Sequence, residues 1–356
     1  MSGKTINAFV IRRKKMVKKV LIISVAVLFA GVIVLGGGTK AEADKYVIGF
    51  SNFSLGNSWR VQMVEEAKYF ASQHKDLIKQ LIETNAENDI SKQIADFEDL
   101  ITKKVDAIII TASSPKALIP VVERAMDAGI VVISFSCIVY TDKVTAKVTV
   151  DQREFGRVQA EWLVKALKEK GEIIAFNGIK GNSIDRDRFE GAKSVFDKYP
   201  DIKIVSTVWA DWDYAKAKRA MESLLAAYPD IDGVWSQGGA MSEAVIEAYL
   251  ERGLEPPPVT GEDGNGFLKI WKKIRDEGKY PGFDSIATSM PTWISAKALE
   301  VALDALEGKP VEKDIVIPIP TITAETLDQY VRPHLPDSFW CNSTLPDEVV
   351  KKLFKR

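Results

Sequence analysis

The sequence predicts an α/β fold of two doubly wound parallel-sheet lobes joined by a multi-strand hinge. From Lys45 onward, short and mostly apolar strand candidates alternate with longer segments of helical periodicity, the pattern of parallel sheets covered by helices on both faces. The alternation runs through two successive sets of similar size, and 356 residues exceed what one hydrophobic core usually serves. The content, 46% hydrophobic and 27% charged, is ordinary for a globular chain.

In the first set, strands are expected at 46–50, 78–84, 106–110 and 130–135, with helical segments beginning near Ser58, Ile90 and Pro115. A further strand, 144–150, precedes a long amphipathic helix over about 153–170. The second set has strands at 172–177, 203–208, 233–236, 258–261 and 285–289, separated by helices from about Asp185, Tyr214, Ser242 and Asn265. Helical periodicity over 291–307 belongs to neither set by order alone. Placing it on the first lobe completes that sheet with 315–317 and makes the chain cross between lobes more than once. The expected division is therefore 44–150 with 290–318 as lobe 1, 151–289 with about 319–330 as lobe 2, and 331–356 as a C-terminal extension. The tail from Thr321 is richer in Pro and ends in a basic helix, 347–356, whose cations sit favourably at a helix C-terminus.

Residues 1–43 read as a signal peptide or N-terminal anchor, which predicts export. Arg12, Arg13, Lys14, Lys15, Lys18 and Lys19 form a basic run ahead of a charge-free stretch, 20–35; a Gly36-Gly37-Gly38 break follows, and Ala41-Glu42-Ala43 suits cleavage before Asp44. The stretch is slightly long for a signal and slightly short for a bilayer span, so the anchor stays open. Met16 is an alternative start that leaves Lys18 and Lys19 as the charged region. Beyond residue 43 the chain holds 40 basic and 48 acidic groups, a net charge of −8, which argues against nucleic-acid binding because neutralising phosphates supplies most of that affinity. Cys137 and Cys341 lack metal-ligand spacing; a disulfide between them is permitted outside the cytoplasm, but two cysteines are weak grounds for one.

Ligands of open parallel sheets bind beyond the carboxyl ends of the strands, where helix N-termini aim free N–H groups at the crevice. The residues at those ends are Asn52, Asn57, Trp59 and Arg60; Ser136; Asp151; Asn182, Asp185, Arg186 and Arg188; Asp211, Trp212 and Asp213; Gln237; and Asp263 with Asn265. Carboxylates, amides and guanidinium groups match hydroxyls that both donate and accept, and indoles match the flat C–H faces of a sugar ring. Each residue also has a structural reading: Asp as a helix N-cap, Trp as core, Asp185 with Arg188 as an i,i+3 pair.

The first half carries Tyr46-Val47-Ile48-Gly49-Phe50 with Asn57-Ser58-Trp59-Arg60, Asp106-Ala107-Ile108-Ile109-Ile110, and Ala128-Gly129-Ile130-Val131-Val132-Ile133-Ser134. Gly181-Asn182-Ser183 with Arg186, Arg188 and Gly191, then Ala210-Asp211-Trp212-Asp213 and Gly261-Glu262-Asp263-Gly264, follow in the second. Taken together and in this order, these segments resemble the ribose-binding branch of periplasmic sugar-binding proteins of ABC transporters. The resemblance spans about Lys45 to Thr323 and implies a type I periplasmic-binding-protein fold, no cofactor or metal, a monomer, and delivery of a sugar or polyol to membrane permease subunits. It implies that Asn57 and Trp59 approach the ligand from the first lobe and Arg188, Trp212 and Asp263 from the second. The expected ligand-binding set is completed by Arg60, Ser136, Asp185, Gln237 and Ser289. This chain departs from the pattern in three places. Ser136 and Cys137 replace an acidic residue followed by Arg, Gly238 stands where Asn follows the Gln, and Ser289 stands at a Gln position. Losing the charged clamp of the first lobe argues against ribose itself. Trp340 or Cys341 of the longer tail reaches the hinge in one arrangement of the chain; the sequence does not place them.

Enzyme readings are weaker. Gly36-Gly37-Gly38-Thr39-Lys40 lacks the order of a phosphate-binding loop, Gly178 and Gly181 more often mark a turn, and His74 and His334 flank no nucleophile motif. Glu262 and Asp263 are adjacent, so their side chains diverge around the backbone. The expectation is a non-enzymatic binding protein that closes on its ligand. A sensor for a membrane receptor, a carbohydrate-active enzyme and a transcription regulator sharing the lobes are the rivals. The last needs a DNA-reading head where an export segment stands.

Overall fold

The structure is a computed structural model that describes residues 45–354. The export segment expected in 1–43 lies outside the described residues. The first sheet contains β1 (Tyr46–Asn52), β2 (Ile78–Asn85), β3 (Ala107–Thr111), β4 (Val131–Phe135), β5 (Ala146–Thr149) and β11 (Asp314–Val316), in the order β11-β5-β4-β3-β1-β2. The second contains β6 (Gly171–Asn177), β7 (Ile202–Trp209), β8 (Gly233–Ser236), β9 (Val259–Glu262), β10 (Ser285–Thr288) and β12 (Thr321–Ile322), in the order β12-β10-β9-β8-β6-β7. All pairings are parallel except β10 with β12. The two doubly wound lobes are those the alternating pattern predicts. β3 is buried along its whole length, as a central parallel strand with helices on both faces must be.

Helices α1 (Ser58–Gln73), α2 (Ile90–Thr102) and α3 (Ile119–Asp127) belong to the first sheet by order, and α4 (Gln152–Ala166) follows the passage to the second. Next come α5 (Ser183–Phe196), α6 (Tyr214–Ala227), α7 (Gly239–Glu251) and α8 (Asn265–Glu277). After β10 the chain returns, and α9 (Ile294–Leu306) packs on α1 and β4 before β11 pairs with β5. Two short helices, α10 (Leu327–Tyr330) and α11 (Asp347–Leu353), close the chain.

Three boundaries differ from expectation for local reasons. α3 begins at Ile119 rather than near Pro115, because Pro120 sits in the first helical turn, where its missing N–H costs nothing. α4 stops at Ala166 because Lys168 and Glu169 take left-handed φ values of 54° and 68°. β12 is only two residues long and leaves no periodic signature.

The five helices that start at Ser58, Ile90, Gln152, Ser183 and Tyr214 are each N-capped by an Asn or Asp side chain: Asn57, Asp89, Asp151, Asn182 and Asp213. Such caps stabilise by about 1 kcal/mol each. α4 and α5 meet backbone to backbone: a Cβ at Gly156 would lie 1.8 Å from the Arg188 carbonyl oxygen, and one at Gly191 2.0 Å from that of Arg153. Both cysteines are buried free thiols. In the tail, Leu327, Val331, Leu335, Phe339, Cys341, Leu345 and Val350 join the core of the second lobe, whereas Trp340 joins that of the first.

Candidate functional site

The carboxyl ends of both sheets face a narrow gap of about 40 Å³ between the lobes. Asn57, Trp59, Arg60 and Met290 line it from the first lobe; Ile184, Arg188, Trp212 and Glu262 line it from the second; Trp340 lines it from the tail. Asn57 and Arg60 also border a wider mouth of about 480 Å³ whose other side is formed by Ile179, Lys180, Asn182, Asp211, Asp213 and Lys216.

The Trp59 indole is oriented by its Nε1, which donates to the Met290 carbonyl at 2.9 Å, where the chain re-enters the first lobe. Trp212 is held differently. Asp211 and Trp212 both adopt left-handed φ, 57° and 56°, a strain of about 1–3 kcal/mol per residue that tends to persist where function requires it. The Trp212 indole lies in a seat that only glycine leaves open. A Cβ at Gly178 would fall 2.0 Å from Trp212 Cε2, and one at Gly238 2.7 Å from its Cδ1. Glycine at 238 thus has a steric reason: the indole occupies the room a side chain would need.

The two guanidinium groups of the gap are in opposite conditions. All five N–H donors of Arg188 are committed. Nε donates to Gln152 Oε1 at 2.8 Å, and Nη1 to the Gln237 carbonyl at 2.8 Å and Glu262 Oε2 at 3.2 Å; Nη2 donates to Glu262 Oε1 at 3.1 Å and Met290 Sδ at 3.6 Å. The group also stacks 3.6 Å above the Phe155 ring. Burial raises the Glu262 carboxyl pKa, and the Arg188 charge opposes that rise. Arg60, by contrast, is 4% exposed, rests 3.6 Å above the Phe53 ring, and donates from Nη2 only to the Cys137 thiol at 3.6 Å. Its Nη1 has no partner among the described residues, and burial lowers its pKa.

The other expected residues stand behind or beside the gap. Asn57 spends its Oδ1 on capping α1 while still lining the wall. Asp185 accepts from Gly178 N, Gln237 Nε2 and Trp209 Nε1, so it braces the loops beneath Trp212; burial raises its pKa against those bonds. Gln237 bonds Asn177 and Asp185. Asp263 does not line the gap: its Oδ2 accepts from Asn342 N at 2.7 Å, and its pKa is pushed up to about 7 by burial and then by the Glu262 charge. Ser289 Oγ lies beside that carboxyl without completing a hydrogen bond. Ser136, at φ 59°, faces a separate crevice of about 340 Å³ with Ile138, Tyr140 and Asp151. Buried side-chain atoms without partners nonetheless recur across the expected set: Arg60 Nη1, Ser136 Oγ, Trp212 Nε1, Gln237 Oε1, Asp263 Oδ1 and Ser289 Oγ. Each such group costs about 1–3 kcal/mol and needs a reason to persist.

Sequence reasoning did not foresee Ile184, Glu262 and Met290 in the gap, and named Trp340 only as one of two tail residues that reach the hinge in one arrangement. Glu262 is the last residue of β9 and Asp263 follows it, so strand alternation sends one side chain toward the gap and the other toward the tail. Periodicity alone does not say which.

Two parallel-sheet lobes with an aromatic-lined gap between their strand ends define a two-lobed solute-binding architecture. Residues 48–310 match the family model described as the periplasmic binding protein domain, and the chain belongs to this family, whose members bind solutes rather than transform them. The ribose import binding protein of Bacillus subtilis is 30% identical over 79% of this chain and 88% of its own length. The xylitol-binding protein of Mycolicibacterium smegmatis is 28% identical over 85% of this chain and 86% of its own. Among solved structures, an ABC transporter solute-binding protein from Thermobispora bispora superposes with a TM-score of 0.75 at 28% identity, covering 86% of this chain and 94% of that one. No helix among the described residues is long and apolar enough to cross a membrane.

Proposed function

We propose that this chain is an exported receptor that captures a sugar or polyol between its lobes and delivers it to an ABC permease. The observation that carries the proposal is that Trp59 and Trp212, from different sheets, line one gap together with buried N–H donors that lack protein partners, Arg60 Nη1 and Trp212 Nε1. The indole faces take the C–H surface of a ring, Arg60 donates to hydroxyls, and Glu262, held by Arg188, accepts from them. Relatives named for ribose and xylitol support a polyhydroxylated solute. The lobes are 44–150 with 290–318 and 151–289 with about 319–330, and residues 1–43 direct export. Closure is favoured by contacts available only when both lobes engage the solute. A direct interlobe bond at the crevice beside Ser136, Arg186 Nη2 donating to Tyr140 Oη at 2.7 Å, belongs to that closed arrangement. The closed monomer then presents both lobes at fixed spacing to the permease.

A thermal-shift screen of pentoses, hexoses and polyols tests this. At least one compound raises Tm with the logarithm of its concentration, because a ligand confined to the folded state stabilises it by RT ln(1 + [L]/Kd). A flat response across the whole screen counts against the proposal.

A further inference from the structure

The tail beyond the second lobe is anchored on both sides of the gap. On the second lobe, Asn265 Nδ2 donates to the carbonyls of Arg332, Leu335 and Pro336 at 2.8, 3.1 and 3.0 Å, and its Oδ1 accepts from Arg332 N at 2.9 Å. Trp340 then forms an antiparallel bridge with Gly264, and Cys341 N donates to the Asp263 carbonyl at 3.0 Å. On the first lobe, the buried Gln62 amide grips the same residue from the other side. Its Oε1 accepts from Trp340 N and its Nε2 donates to the Trp340 carbonyl, both at 2.9 Å. Trp340 Nε1 donates to Ser58 Oγ at 3.0 Å. The Glu66 carboxylate secures the following turn, accepting from Ser343 Oγ at 2.6 Å and Thr344 N at 3.0 Å.

Every polar atom of Trp340 is therefore committed to the protein, and its indole, 5% exposed, has one orientation. That indole lies on a boundary. On one side is the inner gap of about 40 Å³. On the other is a cavity of about 350 Å³ lined by Tyr214, Ala240, Glu243, Asp337 and Ser338. Asn57, Trp212 and Trp340 border both spaces. Trp340 has no polar atom left to offer a solute; what it offers is a wall.

We infer that Trp340 is a specificity-determining residue: a fixed partition, supplied by the C-terminal extension, that separates the inner site from the neighbouring cavity and keeps a bound sugar or polyol from extending a second unit into it. This rests on the function proposed above. Removing the indole joins the two spaces, and the second space offers the carboxyl groups of Glu243 and Asp337 to further hydroxyls; Glu243, its pKa pushed up to about 8 by burial, can donate as well as accept.

Isothermal titration of wild type, Trp340→Ala and Trp340→Leu with D-ribose, xylitol, D-fructose and myo-inositol, and with the disaccharides maltose and cellobiose, tests the inference. Wild type is expected to bind at least one single-unit compound and neither disaccharide. Trp340→Ala should weaken the single-unit compound tenfold or more and admit a disaccharide, and Trp340→Leu, which keeps apolar contact with the first-lobe core, should fall between the two. If Trp340→Ala does not fold, the Leu variant carries the test alone. A wild type that binds a single-unit compound, with folded variants that keep its affinity within twofold and still reject both disaccharides, overturns the partition and leaves the function standing. A wild type that binds none of the compounds overturns the function and the partition together.

Discussion

Arg60 and Arg188 are buried to the same degree on opposite lips of one gap, yet they do opposite work. Arg188 is saturated: a bidentate carboxylate, an amide, a carbonyl and a thioether take all its donors, and an aromatic ring covers its face. Arg60 shares the aromatic cover but has only a thiol opposite it. A guanidinium whose hydrogen bonds are complete belongs to the scaffold, whereas one buried without them is held ready for a partner that is not part of the chain. The same side chain in the same cleft can thus be structural or functional, and the census of its donors tells which.

The widest break in this symmetry is expected from removing Glu262. Glu262→Ala leaves Arg188 buried without its counter-charge and should cost about 3–5 kcal/mol in urea unfolding. Arg60→Met in the same assay should stay within about 1 kcal/mol of wild type or exceed it, because it removes a desolvated cation that no carboxylate balances, while solute binding is lost. Equal destabilisation by the two variants would erase the distinction.

The seat of Trp212 is the next test. Gly238→Asn places a Cβ 2.7 Å from the indole, an overpacking of about 1–3 kcal/mol that should lower solute affinity about tenfold or more. Adding Trp212→Phe should return part of that affinity, since the smaller ring vacates the space; titration of the single and double variants measures the coupling.

The smallest effect concerns pH. Asp263 is raised from an ordinary 3.8 to about 7, by burial first and by Glu262 second, so between those values the folded chain keeps a proton that the unfolded chain has released. Its stabilising contribution is complete below about pH 4 and is lost as pH rises toward 7. Asp263→Asn lacks this dependence and can still accept from Asn342 N. Its Tm should therefore gain on wild type by about 1–2 °C between pH 6 and pH 7, as expected for roughly 1 kcal/mol. A constant difference across that range would remove Asp263 from the pH response.

The lobes and their strand ends were legible because alternation of apolar strands and periodic helices is a local signal. Trp59, Arg60, Arg188 and Trp212 could be placed at the gap for the same reason, since each follows a recognisable strand. What was not legible depends on contacts between distant segments. The choice of Glu262 over Asp263 rests on which face of β9 meets Arg188. Asp185 and Gln237 turn toward each other because Gly178 and Trp209 complete their bonding, and no spacing announces that. Trp340 was read, with Cys341, as a tail residue that reaches the hinge in one arrangement, but it could not be placed, because the residue that fixes it, Gln62, belongs to the first helix.

That long reach has a bearing on how the chain acquires its shape. Gln62 and Trp340 are separated by 278 residues, so the seam between them must wait for both sheets to exist and then close one of the longest loops in the molecule. Each lobe can condense from its own neighbours, and the crossing strands already join the two; the final segment of polypeptide adds a seam of its own when it arrives. A chain interrupted late in synthesis would own both halves of its cleft and their crossings but lack that last seam.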